Sequence, residues 1–270
     1  AVKCDVPPLW TGTIDARGDG QYVTAPVRLP SAGYYTYRET IAGSDFVRPT
    51  ETACGDVLET SVAVGAPAIR TQISAQSTAP GSQITDTAVV TGLGALQATV
   101  NVELWGPYPT PEAMTCTGTP YWTGSIAANG DGTYTTAPVT LDRAGYYTYR
   151  ESIAATEYTD AVQTTCAEAA ETTVTTARPA ITSRASAEGV RAGDQVFDSL
   201  RLAGVGKTPV TIQMELFGPF ATRGAMRCTG RAAWRGAVQA AGDGVVRTAA
   251  TGLDEVGFYT YRASIEQTNL

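Results

Sequence analysis

Five cysteines are the residues whose type and spacing most clearly imply chemistry in this sequence. Cys4 and Cys54 are 50 residues apart, and the same interval separates Cys116 from Cys166. A pair that recurs at fixed spacing is typical of a disulfide framework, which forms in oxidising, extracellular settings. Buried free thiols are the alternative, whereas zinc is disfavoured because histidine is absent and cysteines are few. The fifth cysteine, Cys228, would need a partner 50 residues further on, beyond residue 270.

Two acidic residues, Asp86 and Glu151, fall on the apolar faces of predicted strands and could do acid–base work as a pair. However, the residue 112 positions after Glu151 is Ala263, so the pair is not shared across the repeat described below. We therefore interpret both as buried carboxylates with arginine or backbone partners, because a buried charge must be compensated. The absence of histidine also excludes Ser–His–Asp and Cys–His catalysis from these residues. The sequence predicts a non-enzymatic protein without a cofactor or metal site.

A repeat of 112 residues organises the whole chain. The sequence AGYYTYRE occupies residues 32–39 and again 144–151, and VGFYTYRA follows at 256–263. Such a unit has the size of an autonomous domain and is longer than a solenoid repeat. We predict three modules. Residues 1–65 are the C-terminal part of the first, residues 66–177 are a complete module, and residues 178–270 are a module that lacks its last strand.

We expect the two incomplete modules to be unstable on their own. Half a sandwich exposes strand edges and buries only half a core, so it should not fold alone. We expect this chain to be a segment of a longer array, or its neighbouring strands to come from another copy.

Short alternating segments separated by turns predict an all-β fold. In the complete module the predicted strands are residues 68–74, 83–90, 98–105, 121–126, 133–139, 145–153 and 171–176. Gly106-Pro107 should end the third strand, and NGDG at 129–132 should join the fourth and fifth as a hairpin. About seven strands without a convincing helix suggest an immunoglobulin-like sandwich, with one disulfide in each module.

The segment GYYTY at 145–149 resembles the immunoglobulin-superfamily pattern of a glycine, a tyrosine two residues on and a core residue two further. That resemblance implies that Tyr147 is a tyrosine corner, with its hydroxyl bonded to nearby backbone. It also implies that Tyr149 lies where antibody domains place a core cysteine. The tandem, threonine-rich, lysine-poor modules further resemble the stalks of Gram-positive, particularly actinobacterial, cell-surface adhesins, which implies a shaft or fibre.

Stalks of that kind often carry intramolecular cross-links. The Lys–Asn isopeptide type is excluded from the middle module, which contains no lysine. Domains with a Thr–Gln ester have a threonine after aspartate on an early strand and a Gln-Thr pair on the last. Thr87 follows Asp86 as that family requires, but Glu171 stands where the family has glutamine. An ester between Thr87 and Glu171 is therefore a hypothesis, and a polar pair that orients the strands is the alternative.

Four aromatic residues raise the possibility that the modules bind a glycan or a protein. These candidate contact residues are Trp105, Tyr108, Tyr121 and Trp122. Phenylalanine replaces two of them in the third module, at Phe217 and Phe220. A solvent-exposed aromatic patch would favour binding, whereas burial of the same side chains would favour a shaft.

Two short motifs have simpler explanations. Arg17-Gly18-Asp19 spells the integrin-binding tripeptide, but the other modules read NGD and AGD at this place, so a Gly-Asp-Gly turn explains all three copies. Gly206-Lys207-Thr208 resembles the end of a phosphate-binding loop, yet Arg201 occupies the position of the required first glycine.

The amino-acid composition limits the kinds of partner that the protein can bind. The net charge of −7 disfavours nucleic acid, because phosphate binding needs clustered lysine and arginine. No apolar run approaches the roughly 18 residues of a membrane helix. We predict a secreted or cell-surface structural protein whose partners are adjacent modules or other copies of itself. A surface glycan or protein is the alternative partner.

Overall fold

The computed structural model describes residues 3–266, and almost all regular structure in that range is β-strand. Four one-turn 3₁₀ helices interrupt the strands, at Val57–Glu59, Pro111–Ala113, Ala169–Glu171 and Arg223–Ala225. Within the described range, no helix has the length and apolar character needed to cross a bilayer.

The first part of the chain, residues 3–65, forms two small antiparallel sheets. Its strands are β1 Gly33–Thr36, β2 Thr40–Ile41, β3 Thr50–Glu51 and β4 Thr60–Ala63. Strand β1 pairs with β4, and β2 pairs with β3. Large apolar side chains in this part remain exposed, including Phe46 at 97% and Leu58 at 92%.

The middle module is an immunoglobulin-like β-sandwich with eleven strands. They are β5 Ala68–Ile73, β6 Ser77–Thr78, β7 Ser82–Ile84, β8 Asp86–Thr91, β9 Gln97–Tyr108, β10 Trp122–Asn129, β11 Gly132–Thr135, β12 Val139–Leu141, β13 Gly145–Ile153, β14 Val162–Gln163 and β15 Thr172–Thr175. Seven of them have four or more residues, which matches the number that the sequence predicts.

Two layers enclose the core of this module. One sheet has the strand order β10-β9-β13-β15-β6, with β14 also paired to β13, and the other has the order β11-β8-β5, while β7 and β12 form a separate pair. Each strand buries one face, so Ala88 and Val90 of β8 point inward, and Ile84 of β7 is buried as well. Val102 and Tyr149 from the other layer share one apolar cluster with Ile84 and Val90.

Two local predictions were wrong. Strand β9 does not end at Gly106 but runs through Pro107 to Tyr108, and its pairing with β13 shifts register near Tyr146 and Thr148. The turn at 129–132 does not close a hairpin, since β10 pairs with β9 and β11 pairs with β8. It carries the chain from one layer to the other, a choice between partners that local turn chemistry does not specify.

The third part repeats this layout. Its strands are β16 Ala180–Ala185, β17 Gln195–Val196, β18 Asp198–Ala203, β19 Val210–Phe220, β20 Trp234–Ala240, β21 Gly244–Arg247, β22 Thr251–Gly252 and β23 Phe258–Ile265. The sheet β20-β19-β23 corresponds to β10-β9-β13, and β16-β18-β21 corresponds to β5-β8-β11. A second apolar cluster, which includes Leu200, Ile212 and Met214, fills the space between them.

Candidate functional site

Three carboxylates meet in the interior of the middle module. Asp86 begins β8 in one layer, Glu151 lies on β13 in the other, and Glu171 ends the 3₁₀ helix before β15. All three residues are fully buried, and one oxygen from each lies within 4.8 Å of the others. We call this group the carboxylate cluster.

Strand pairing explains why the cluster forms. Strands β13 and β15 are antiparallel, and Thr148 of β13 faces Thr172 of β15. The next pair in the same register places Tyr149 opposite Glu171. Glu151 is two residues beyond Tyr149 on the same inward face of β13. The facing layer supplies Asp86, and the cluster therefore requires that both layers be assembled.

Few hydrogen bonds reach the cluster. The Thr164 hydroxyl donates to Oε2 of Glu151 at 2.9 Å, and the Asp86 amide donates to the Thr136 hydroxyl at 2.9 Å. Both carboxylate oxygens of Asp86, both of Glu171 and Oε1 of Glu151 have no hydrogen-bond partner within the described protein. These are buried acceptors without donors, an expensive arrangement in a protein interior.

Burial and mutual repulsion disfavour the ionised forms. Burial raises the pKa of Glu151 to about 9, with the negative charges of Asp86 and Glu171 adding to the effect. Burial also raises the pKa of Glu171 to about 8, and the charge of Asp86 contributes next. The pKa of Asp86 rises too, and burial is the main cause.

The predicted arginine partner is found elsewhere. Arg150 lies on the opposite face of β13, where its Nε and Nη2 donate to Oε2 of Glu103 at 3.0 and 2.6 Å. The predicted burial of Asp86 and Glu151 is confirmed. The predicted arginine partner is not found beside them among the described residues, because strand alternation places Arg150 on the other face of β13 from Glu151.

The position of Thr87 does not favour the hypothesis of an ester with Glu171. Thr87 lies on the outward face of β8, since its neighbour Asp86 points inward. The sequence indicates Glu171 only as an ester partner. Its place in the cluster follows from the two-residue alternation of Glu171, Thr173 and Thr175, which starts one residue before β15.

Disulfides join the predicted pairs of cysteines. Cys4 binds Cys54 and Cys116 binds Cys166, with a distance of 5.9 Å between the α-carbons in each pair. Cys228 is half-buried and has no sulfur partner among residues 3–266. Disulfides of this kind are compatible with an oxidising compartment.

Trp105 and Tyr108, two of the four candidate contact residues, make internal contacts near the disulfide. Trp105 is only 4% exposed, its Nε1 donates to Glu103 at 3.2 Å, and the Arg150 guanidinium lies 5.1 Å from its ring centre. The Tyr108 hydroxyl accepts a hydrogen bond from the Cys116 amide at 3.2 Å. Both side chains are engaged in internal contacts.

The other two aromatics support the core. The Tyr121 hydroxyl donates to the Thr140 carbonyl at 2.8 Å, and its ring packs edge-on against Tyr147 with 5.2 Å between ring centres. Trp122 packs against the apolar cluster. All four candidate residues therefore make internal contacts, although only Trp105 is buried and the other three are half-buried.

The short motifs also have internal roles. In the middle module the aspartate of the Gly-Asp-Gly turn, Asp131, accepts hydrogen bonds from the amides of Leu93 and Gly94 at 2.7 and 3.0 Å. Asp243 accepts from the Val205 amide in the same way at 2.8 Å. The motif ties the turn between layers to the loop after β8 or β18. At the equivalent place in the first part, residues 17–19 are exposed.

Comparison with known proteins adds little. No family model matches the sequence, and no curated protein matches it either. Among solved structures, Escherichia coli alpha-2-macroglobulin activated by porcine elastase aligns with 88% of this chain and 23% of its own, at 11% identity and a TM-score of 0.29. Red sea bream transglutaminase aligns with 74% of this chain and 29% of its own, at 10% identity and a TM-score of 0.27. The chain thus spans about a quarter of the length of these proteins, and such low similarity says nothing about function.

Proposed function

We propose that this chain is a non-enzymatic, extracellular structural segment that acts as part of a shaft or fibre on a cell surface. The observation that carries the proposal is the direct bonding between consecutive modules. A shaft transmits force and holds its ends apart only if its joints resist bending. Contacts at the joints therefore decide whether the chain can act as a shaft.

The joint between the middle and third modules is built from backbone and side chains. The Lys207 amide donates to the Asp142 carbonyl at 2.7 Å, and the Lys207 Nζ lies 2.6 Å from the Asp142 carboxylate. The Ala144 amide donates to the Thr208 hydroxyl at 2.7 Å. Proximity to Lys207 lowers the pKa of Asp142, so the carboxylate stays charged in this contact. The stretch that resembles a phosphate-binding loop thus serves as a joint.

Close backbone approach tightens the same joint. A β-carbon on Gly206 would lie 2.4 Å from the Asp142 carbonyl oxygen and 2.6 Å from Cβ of Pro80, distances that real atoms avoid. Only glycine lets the third module come this near to the middle one.

The preceding joint also has direct bonds. The Gly65 amide donates to the Tyr158 carbonyl at 2.7 Å, and the Asp160 amide donates to the Gly65 carbonyl at 2.9 Å. The Tyr34 hydroxyl donates to the Glu157 carboxylate nearby. Both joints therefore have bonds that resist bending.

The placement of the aromatic residues favours a shaft over a glycan- or protein-binding module. Trp105 is buried, the other three are half-buried, and each of the four makes contacts within the module, so they do not form a fully exposed patch. The resemblance to actinobacterial stalks and the disulfides support a position outside the cell, where an adhesive tip could be spaced from the surface.

A substitution that prevents the close approach of the middle and third modules tests the proposal. Gly206→Ala adds the clashing β-carbon, and we expect small-angle X-ray scattering of the chain to show a wider range of angles between the middle and third modules. Gly94→Ala is the matched control, because Gly94 has nearly the same φ, +61° against +58°, while its nearest foreign atom would be 3.8 Å away. The control should scatter like the wild type. If the wild type itself requires a broad range of joint angles, the shaft proposal fails.

Electron microscopy addresses the biological role. The secreted protein that carries these modules should appear as rods or continuous fibres of regularly spaced units. Compact particles with no extended stretch of modules would contradict a structural role.

A further inference from the structure

The carboxylate cluster brings together more buried negative charge than the surrounding protein compensates. Asp86, Glu151 and Glu171 converge from both layers, and Arg150, the basic residue next to Glu151, pairs with Glu103 on the other face of the sheet. Five of the six carboxylate oxygens have no hydrogen-bond donor in the described protein. A buried group of this kind needs protons or a cation to be stable.

A fourth side chain points into the same space. Tyr149 is fully buried, and its hydroxyl has no hydrogen-bond partner. Glu151 lies two residues along the same inward face of β13, and the strand register places Glu171 opposite Tyr149, so the Tyr149 side chain lies beside the carboxylates. Burial raises the pKa of this phenol, and the charges of Asp86, Glu151 and Glu171 raise it further. This unpartnered hydroxyl is a further oxygen ligand, independent of the acidic residues.

We propose that the carboxylate cluster and the Tyr149 hydroxyl bind one Ca²⁺ ion inside the middle module. The available ligands are all oxygens, and a carboxylate can bind through one or both of its oxygens, which suits the six to eight oxygen ligands of Ca²⁺. Zinc is a poorer match, because its protein sites are built mainly from nitrogen and sulfur. Mg²⁺ is also a poorer match, since it usually keeps several of its waters and a fully buried cluster leaves little room for them.

Bound Ca²⁺ would link the two layers. Asp86 comes from the layer of β8, while Glu151 and Glu171 come from the layer of β13. An ion between them acts as a staple across the sandwich, a role that fits a module under tension but does not depend on the shaft proposal. Thr164, which donates to Glu151, would orient that ligand as an outer-shell partner.

The third module supplies an internal comparison. It keeps Asp198 and Tyr261 at the positions of Asp86 and Tyr149, and both are again unpartnered at their polar atoms. Ala263 replaces Glu151, however, so the described part of that module cannot form the same set of ligands. We therefore expect one Ca²⁺ in the chain, held by the middle module.

Calcium binding can be measured on the whole chain. After treatment with EDTA and dialysis against CaCl₂, elemental analysis should find one Ca²⁺ per chain. The thermal midpoint of unfolding should rise with CaCl₂ and respond less to MgCl₂ at equal ionic strength. Tb³⁺, an ion of similar size, should emit when the tyrosines are excited, because Tyr149 lies beside it.

Variants separate binding from folding. Glu151→Gln keeps the size of the side chain, removes one charge, and should weaken Ca²⁺ binding by at least about tenfold, as expected for a direct ligand. The same variant should have a higher thermal midpoint than wild type in EDTA, because it relieves repulsion. Asp198→Asn, a change at the third-module counterpart of Asp86, should leave one Ca²⁺ bound.

Three outcomes would overturn the proposal. In the first, the wild type binds no Ca²⁺ and its midpoint does not respond to millimolar CaCl₂. In the second, the midpoint responds to MgCl₂ but not to CaCl₂. In the third, Asp198→Asn loses as much Ca²⁺ as Glu151→Gln does. Near-ultraviolet circular dichroism of Glu151→Gln in EDTA checks that the variant is folded. A native spectrum together with unchanged Ca²⁺ affinity would also reject Glu151 as a ligand. None of these results depends on whether the modules form a shaft.

Discussion

At the scale of single residues, a side chain that recurs every 112 positions makes the same contact each time. The Tyr147 hydroxyl donates to the Arg143 carbonyl at 2.9 Å, which is the bond that a tyrosine corner makes. Tyr35 bonds to the Ser31 carbonyl at 2.8 Å, and Tyr259 bonds to that of Glu255 at 3.0 Å. Recurrence in three independent places indicates that this bond stabilises each module.

Tyr147→Phe should therefore destabilise the middle module by about 1–2 kcal/mol, since the buried tyrosine loses its bond and the carbonyl loses its donor. Tyr146→Phe is the control, because Tyr146 is half-buried and points to the other face of β13. Urea unfolding followed by tryptophan fluorescence measures both. Equal stability of the two variants would show that the corner contributes nothing.

The carboxylate cluster predicts an unusual pH dependence in Ca²⁺-free buffer. Glu151 and Glu171 have an ordinary pKa of 4.5 but folded values of about 9 and 8, so the folded state binds more protons between these limits. Stability should be unaffected by these groups below about pH 4.5 and fall as the pH rises toward 9. Because 1 kcal/mol shifts the midpoint of a domain this size by roughly 4–8 °C, the effect should be measurable.

Calorimetry in EDTA at pH 5, 7 and 9 checks this prediction. The midpoint of the middle module should drop across the series, and Glu151→Gln should show a smaller drop, because one titrating group is gone. A midpoint that rises from pH 5 to 9 in wild type and variant alike would show that Asp86, Glu151 and Glu171 ionise normally.

At the scale of elements, an arginine fastens the segment around Cys116 to its sheet, and the same contact recurs around Cys228 in the third module. Arg150 on β13 donates to Glu103 on β9 and, through Nη1, to the Cys116 carbonyl at 3.2 Å. In the third module Arg262 pairs with Glu215 and donates to the Cys228 carbonyl at 2.9 Å. The planar guanidinium can make these bonds at once, whereas the ammonium of lysine is a point charge.

Arg150→Lys should cost about 1 kcal/mol, a modest value because both side chains of the ion pair are partly exposed. Combining it with Glu103→Gln should cost less than the sum of the two single changes, since they remove the same contact. Arg143→Lys, at an exposed arginine of the same module, should be neutral. Strict additivity in urea unfolding would show that Arg150 and Glu103 act separately.

At the scale of the whole molecule, covalent and noncovalent links act at different places. The disulfide braces the inside of a module, whereas Lys207, Thr208 and Gly206 fasten one module to the next. The chain therefore has links both within modules and between them.

Replacing both Cys116 and Cys166 by serine should lower the stability of the middle module by about 4 kcal/mol, the loop-closure value for a crosslink that spans 50 positions. The third module should unfold as before, because it has its own core. Calorimetry that resolves the two transitions provides the measurement. If both transitions moved together, the modules would unfold as one unit.

The sequence by itself determined the repeat, the all-β fold and the inward faces of the strands. Period-two alternation is a local property, and it set Ile84, Asp86 and Ala88 on one side of the chain regardless of their partners. Fixed spacing likewise indicated the cysteine pairs, and the GYYTY resemblance indicated the role of Tyr147.

Only the tertiary structure decided which of these faces meet. The turn at 129–132 looks like a hairpin, but packing sends β10 and β11 to different layers, and turn chemistry contains no information about that choice. The partner of Arg150 is on another strand 47 positions away, and the cluster of Asp86, Glu151 and Glu171 spans both layers. Such contacts depend on strand order and register, which arise from the burial of the whole core rather than from any single segment.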